Sequence, residues 1–214
     1  MIEGVTWKVC GITSLGDAVA AAECGADYLG FNFYPPSPRS LSLERYSALA
    51  PQLPVTGRAA VLVEPTLAEL AAVRRAGFDA FQIHFSAGID PACLESWAVA
   101  VGVENLWLAP RLPPGTEVAA EWLPWARTFM LDTFRADRFG GSGATGDWAK
   151  FARHRLRRPE KVWILAGGLN PENIGRALRE SGARFVDVNS GVESAPGRKD
   201  AGKLRAFIAG LRVG

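Results

Sequence analysis

Helical runs that stop on a glycine and give way to an apolar strand two residues later recur along this chain. ECGADYLGF, RAGFDAFQIH and ESGARFVDVN carry that glycine at Gly25, Gly77 and Gly182, and a helix that ends this way places its glycine in the left-handed region. The three positions lie 52 and 105 residues apart, close to two and four units of about 26 residues, and eight such units fill the 214-residue chain. Eight strand-like runs fit the same count: TWKVCGI, ADYLGFNFY, GRAAVLVE, FDAFQIH, NLWLAP, RTFMLDT, KVWILA and RFVDVNS. Between them, LGDAVAAAECG, TLAELAAVRRAG and NPENIGRALRESG have the propensity and apolar spacing of helices. Strand and helix in strict alternation imply parallel strands with crossover helices. The expected fold is therefore a single-domain (β/α)8 barrel, spanning residues 1–214. The fifth unit breaks the pattern. APRLPPGTEVAAEWLPW is proline-rich, with a short helical stretch around Thr116–Trp122, so the helix after strand five is expected to be short or irregular.

Composition closes off other classes. With 48% hydrophobic residues the chain can bury a large core, and a net charge of +2 gives no footprint for nucleic acid. The basic run RHRLRRPEK, Arg153–Lys161, reads as a solvated helix end. No run approaches the 18 apolar residues of a membrane span and the N-terminus carries no signal-peptide pattern, so the protein is expected to be cytoplasmic. Three cysteines without CxxC spacing form neither a disulfide framework nor a zinc site. His84 and His154 stand too far apart in sequence to suggest a metal site. No GxGxxG follows the first strand, which leaves dinucleotide binding unsupported. No cofactor is expected, and both a monomer and a homodimer remain open.

In an eightfold barrel the active site lies where the C-terminal strand ends converge. Strands seven and eight end in AGGLNPEN and NSGVES. Gly167 and Gly168 in the first, with Ser190 and Gly191 in the second, form paired turns of the kind that cradle a phosphate. Asn170 is expected to cap a helix whose first residue is Pro171. Strand one ends at Cys10, either a small buried hydrophobe or a reactive thiol, with Gly11 leaving its backbone accessible. Asp132 follows the sixth strand, where a carboxyl at an apolar mouth can serve as turn cap or general acid. Gly140, Gly141, Ser142 and Gly143 supply a loop able to fold over a ligand. Arg39, after strand two, offers an anion fork, and His84, ending strand four, offers a hydrogen bond to substrate. Together these imply proton transfer on a phosphorylated, carboxylated small molecule.

The segments KVCGIT, GADYLGFNFYPPSPR, FQIH, LDTF with FGGSGATGDW, LAGGLNPENI and VDVNSGVESAPGRKD resemble those of the phosphoribosylanthranilate isomerases over nearly the whole chain. That resemblance implies an Amadori rearrangement in tryptophan biosynthesis, run by acid and base without metal or organic cofactor on a phosphosugar-anthranilate substrate. It implies Asp132 as general acid, Cys10 as base, Arg39 as holder of the anthranilate carboxylate, and Gly167, Gly168, Ser190 and Gly191 as phosphate turns. QIHF stands here where glutamine-leucine-histidine-glycine is commoner, NSG where a second serine often precedes the glycine, and the strand-five segment is atypical. A related histidine-biosynthesis isomerase carries an aspartate on strand one in place of a cysteine. A binding-only barrel is a further alternative, one that would tolerate loss of Cys10 or Asp132; both are present.

Overall fold

The computed structural model describes residues 1–113, 115–132 and 147–212. Eight strands close into a barrel in chain order, each parallel to its neighbours: β1 Thr6–Val9, β2 Tyr28–Asn32, β3 Gly57–Val63, β4 Ala80–Ser86, β5 Leu106–Arg111, β6 Thr128–Leu131, β7 Val162–Leu165 and β8 Phe185–Val188. Each expected strand is present. The outer ring holds α1 Leu15–Glu23, α2 Leu43–Leu49, α3 Leu67–Arg75, α4 Pro91–Val101, α5 Trp148–Arg157, α6 Ile174–Ser181 and α7 Ala201–Leu211. After β5 a 3-10 helix, Ala120–Trp125, stands in place of an α-helix. Pro124 within it removes an N–H donor and blocks a regular helical ladder.

The sequence encodes the helix starts directly. Ser14, Ser42, Asp90, Asp147 and Asp200 each accept a hydrogen bond from a backbone N–H in the first turn of the helix they precede. Thr66 and Glu69 form a full capping box on α3. The stops follow the glycine rule, since Gly25, Gly77 and Gly182 all have positive φ.

The pleat sorts each strand into two faces. Trp7, Val9, Leu29, Phe31, Ile83, Phe85, Leu108, Phe129, Trp163, Val186 and Val188 pack outward into the core shared with the helices. Ala59, Ala80, Trp107, Ala109, Met130, Ile164, Ala166 and Phe185 fill the barrel interior. At its N-terminal end, Tyr28 stacks on Phe185 and both meet Trp107 edge to face, with ring centroids 5.0–5.8 Å apart. Above them the interior turns polar, and there the site begins. No helix among the described residues is long and apolar enough to cross a membrane.

Candidate active site

A cavity of about 450 Å³ opens at the C-terminal strand ends. Cys10, Arg39, His84, Asp132, Gly167, Gly168 and Ser190 all line it, so residues far apart in sequence meet where the barrel predicts. Gly191 lies just behind this wall. A Cβ there would collide with the Leu169 carbonyl oxygen and lie 2.8 Å from Asn170 Cβ. The turns after β7 and β8 therefore touch at Gly191, and only a residue without a side chain allows it. Gly167 and Gly168 sit in succession at φ 90° and 64°. Gly140, Gly141, Ser142 and Gly143 lie outside the described residues.

Two local expectations are corrected. α6 starts at Ile174, three residues later than a Pro171 start. Asn170 Oδ1 instead accepts from the N–H groups of Glu172 and Asn173, while Asn173 Oδ1 accepts from Asn170 N–H. This pair of side-chain caps makes a rigid turn of the segment before the helix. Gly11 is buried rather than accessible. It has φ 73°, and a Cβ there would lie 2.7 Å from both Arg39 Cδ and Asn189 Oδ1, so its missing side chain makes room for those two residues beside Cys10.

Three interior side chains complete the site, and the sequence reading passed over all of them. Lys8 lies two residues before Cys10 and Gln82 two before His84; Asp187 lies two before Asn189. The pleat puts each on the same inward face as its partner. The β1–β8 register pairs Lys8 with Asp187, and Lys8 Nζ donates to Asp187 Oδ1 at 2.6 Å, with side chains 0% and 9% exposed. Gly30 makes space for this, because a Cβ there would lie 2.7 Å from Lys8 Cε and 3.1 Å from Cys10 Sγ. The signal was available: a lysine and an aspartate at inward positions of adjacent barrel strands are unexplained by packing alone.

Burial sets the electrostatics. It pushes the Cys10 thiol above its ordinary pKa, against the opposing pull of the Lys8 ammonium. Burial alone would lower Lys8, yet Asp187 and Cys10 outweigh it and hold its pKa above the usual value. Asp187 is raised by burial, opposed by Lys8. His84 is pushed down to about 4 by burial and by the charge on Lys8, so its imidazole is neutral at neutral pH. Gln82 Nε2 lies 2.8 Å from His84 Nε2. With the amide as donor, the ring accepts at Nε2 and carries its proton on Nδ1. Gln82 Oε1 is buried and has no partner among the described residues, which leaves an acceptor at the cavity wall for a ligand donor.

Arg39 is held more tightly than an isolated fork. Its Nε donates to Glu193 Oε1 at 2.9 Å and its Nη2 to Glu193 Oε2 at 2.6 Å. Arg111, at the end of β5, also lines the cavity. His154 has no part in the site; it is buried in α5, where its Nδ1 lies 2.9 Å from the Lys150 carbonyl oxygen and its Nε2 accepts from Val118 N–H, tying down the irregular segment after β5. Cys10, Cys24 and Cys93 are all free thiols; the latter two pack partly buried against the core. Among the described residues, no group of three or more His, Cys, Asp or Glu side chains is arranged to hold a metal ion.

Residues 7–210 match the family model described as N-(5'phosphoribosyl)anthranilate (PRA) isomerase. The chain belongs to this family. It is 39% identical over 212 residues to the N-(5'-phosphoribosyl)anthranilate isomerase of Syntrophus aciditrophicus, covering 96% of this chain and 86% of that one. Among solved structures, the phosphoribosyl anthranilate isomerase of Thermus thermophilus superposes with a TM-score of 0.79 at 34% identity, covering 97% and 98% of the two chains. A second isomerase structure, in complex with reduced 1-(o-carboxyphenylamino)-1-deoxyribulose 5-phosphate, superposes with a TM-score of 0.76 at 30% identity over 97% and 98%.

Proposed function

We propose that this chain converts N-(5'-phosphoribosyl)anthranilate to 1-(2-carboxyphenylamino)-1-deoxyribulose 5-phosphate, in tryptophan biosynthesis, with Asp132 as general acid and Cys10 as base. The observation that carries the reading is that Cys10 after β1 and Asp132 after β6 line one cavity together with the glycine turns after β7 and β8. Asp132 protonates the furanose ring oxygen, the ring opens, and the anthranilate nitrogen and C1′ become a protonated imine. That cation acidifies the C2′–H bond, and the Cys10 thiolate takes the proton. The enolamine then tautomerises, gaining a proton at C1′ as the C2′ hydroxyl becomes a ketone. The rearrangement is internal, so carbon oxidation at C2′ balances reduction at C1′.

The cavity supplies the rest of the binding. The turns Gly167–Gly168 and Ser190–Gly191 hold the phosphate through backbone N–H groups and the Ser190 hydroxyl. Arg39 faces the anthranilate carboxylate. Gln82 Oε1, without a partner among the described residues, accepts from a ribose hydroxyl, and neutral His84 donates from Nδ1 to another. The three free cysteines accord with a reducing, cytoplasmic setting. The test is turnover by the purified protein: the labile substrate is generated in situ from anthranilate and phosphoribosyl pyrophosphate with a separate transferase, and its disappearance is followed by fluorescence. Formation of the carboxyphenylamino-deoxyribulose phosphate supports the assignment. Absence of that product with intact substrate rejects it.

A further inference from the structure

We infer that Glu193 is the positioning residue for the Arg39 anion fork, presenting one guanidinium edge to the cavity by occupying the other. This rests on the reading of the cavity as the site of a carboxylated substrate. A guanidinium has five N–H donors in a rigid plane. Glu193 takes the Nε–H and one Nη2–H side-on, which leaves three donors, and of these one Nη1–H and the second Nη2–H form the end-on pair for another carboxylate. The backbone of Arg39 is fixed as well, since its N–H donates to Ser37 Oγ at 3.2 Å and Ser37 is in turn held by Asn32 Nδ2 at 3.3 Å.

Glu193 is itself anchored from the far side. Its Oε1 accepts from Lys199 Nζ at 2.9 Å and Gly197 N–H at 3.2 Å, and Lys199 Nζ also reaches Asn189 Oδ1 at 3.0 Å. The hairpin of β9, Glu193–Ala195, and β10, Arg198–Lys199, brings these residues together. Lys199 alone would balance the Glu193 charge. Adding Arg39 gives this buried group two cations and one carboxylate, a surplus positive charge at the cavity wall that calls for an anionic ligand group. Burial would raise Glu193, but hydrogen bonds from Arg39 and Lys199 bring it below the ordinary carboxylate range, so the clamp is ionised at neutral pH.

The test compares wild type, Glu193→Gln, Glu193→Asp, Arg39→Ala and the Arg39→Ala/Glu193→Gln double variant. Each is assayed for turnover and for binding of two probes: the reduced carboxyphenylamino-deoxyribulose 5-phosphate and its counterpart lacking the ortho carboxylate. Glu193→Gln is expected to weaken the carboxylated probe and raise KM about three- to tenfold, the range for re-ordering one long side chain on binding, with kcat changed less than about twofold. The probe without carboxylate should bind as in wild type. Glu193→Asp keeps the charge for Lys199 but retracts from Arg39, and should show the same selective loss to a smaller extent. In the Arg39→Ala background, Glu193→Gln should add nothing. Equal weakening of both probes, or additive losses in the double variant, overturns the positioning role and leaves a merely structural ion pair. Selective loss on the carboxylated probe stands even if wild type fails to turn over the proposed substrate, so failure of that reading is seen separately. If Glu193→Gln does not fold, Glu193→Asp decides: full carboxylated-probe affinity in it refutes the inference.

Discussion

The Lys8 ammonium is the main group opposing the burial that raises the Cys10 thiol, and Lys8→Met tests this. Lys8 Cε and Cys10 Sγ both flank Gly30, at 2.7 and 3.1 Å from where its Cβ would be, so the carbon that bears the ammonium lies within about 6 Å of the sulfur. Unit charges at about 6 Å and an effective dielectric of about 20 interact by roughly 3 kcal/mol, or about two pKa units. Asp187 opposes this pull on the thiol. Once Lys8 is gone, the buried carboxylate takes up a proton, and its opposition goes too. The net change is a further rise of the Cys10 pKa, because Lys8 is the larger of the two opposing charges. The assay is the pH dependence of iodoacetamide alkylation in a Cys24→Ser/Cys93→Ser background, where the thiolate fraction of Cys10 alone sets the rate. Losing one partner of a buried pair also costs roughly 3–5 kcal/mol of stability, measurable by urea unfolding. Lys8→Met/Asp187→Leu should recover much of that cost while keeping the raised thiol pKa. A thiol pKa unchanged to within about 0.3 units in the folded Lys8→Met protein refutes the reasoning.

Other outcomes follow from the same geometry. Because the base must be the thiolate and burial holds the thiol above its ordinary pKa, kcat/KM should climb about tenfold per pH unit from pH 6 to 8 while Cys10 limits the rate; a flat profile over that range counts against Cys10 as base. His84, held down to about 4, should show the neutral Nδ1–H tautomer by nitrogen-15 NMR throughout pH 5–9, and a titration near pH 6.5 contradicts its burial beside Lys8. Gly191→Ala drives a Cβ into the Leu169 carbonyl oxygen, so the two glycine turns must separate; affinity for the reduced product analogue should fall at least about tenfold and stability by about 1–3 kcal/mol, as read by titration calorimetry and thermal melting.

The barrel was legible because its evidence is local. Each helix stop carries its own glycine, each strand its own apolar run, and regular spacing converts these into eight units. The irregular fifth crossover was equally visible in its prolines. The rim residues were legible for a related reason: Cys10 and Asp132 directly follow a strand, Ser190 comes two residues after one and His84 lies near the end of β4, and barrel topology sends all such positions to one face. Lys8, Gln82 and Asp187 were missed because inside an apolar-looking strand a single polar residue reads as noise until the pleat aligns it with its neighbour. The Glu193–Arg39 pair is of another kind. It joins loops 154 residues apart, and no local pattern says which carboxylate a given arginine will meet. The same holds for Gly11, whose bare Cα is explained by Arg39 and Asn189 rather than by anything in KVCGIT.

The central claim is that Cys10 and Asp132 perform the chemistry in a cavity whose other groups bind substrate, position those that do, or act on the thiol's charge. Its most direct test places wild type, Cys10→Ala and Asp132→Asn side by side, with steady-state turnover of in situ generated N-(5'-phosphoribosyl)anthranilate and the Kd of the reduced product analogue measured for each. The account predicts turnover in wild type, a fall of about a thousandfold in each variant, inside the roughly hundred- to ten-thousandfold range that general acid or base catalysis contributes, and Kd values within about threefold of one another. Near-wild-type turnover in either variant would contradict it.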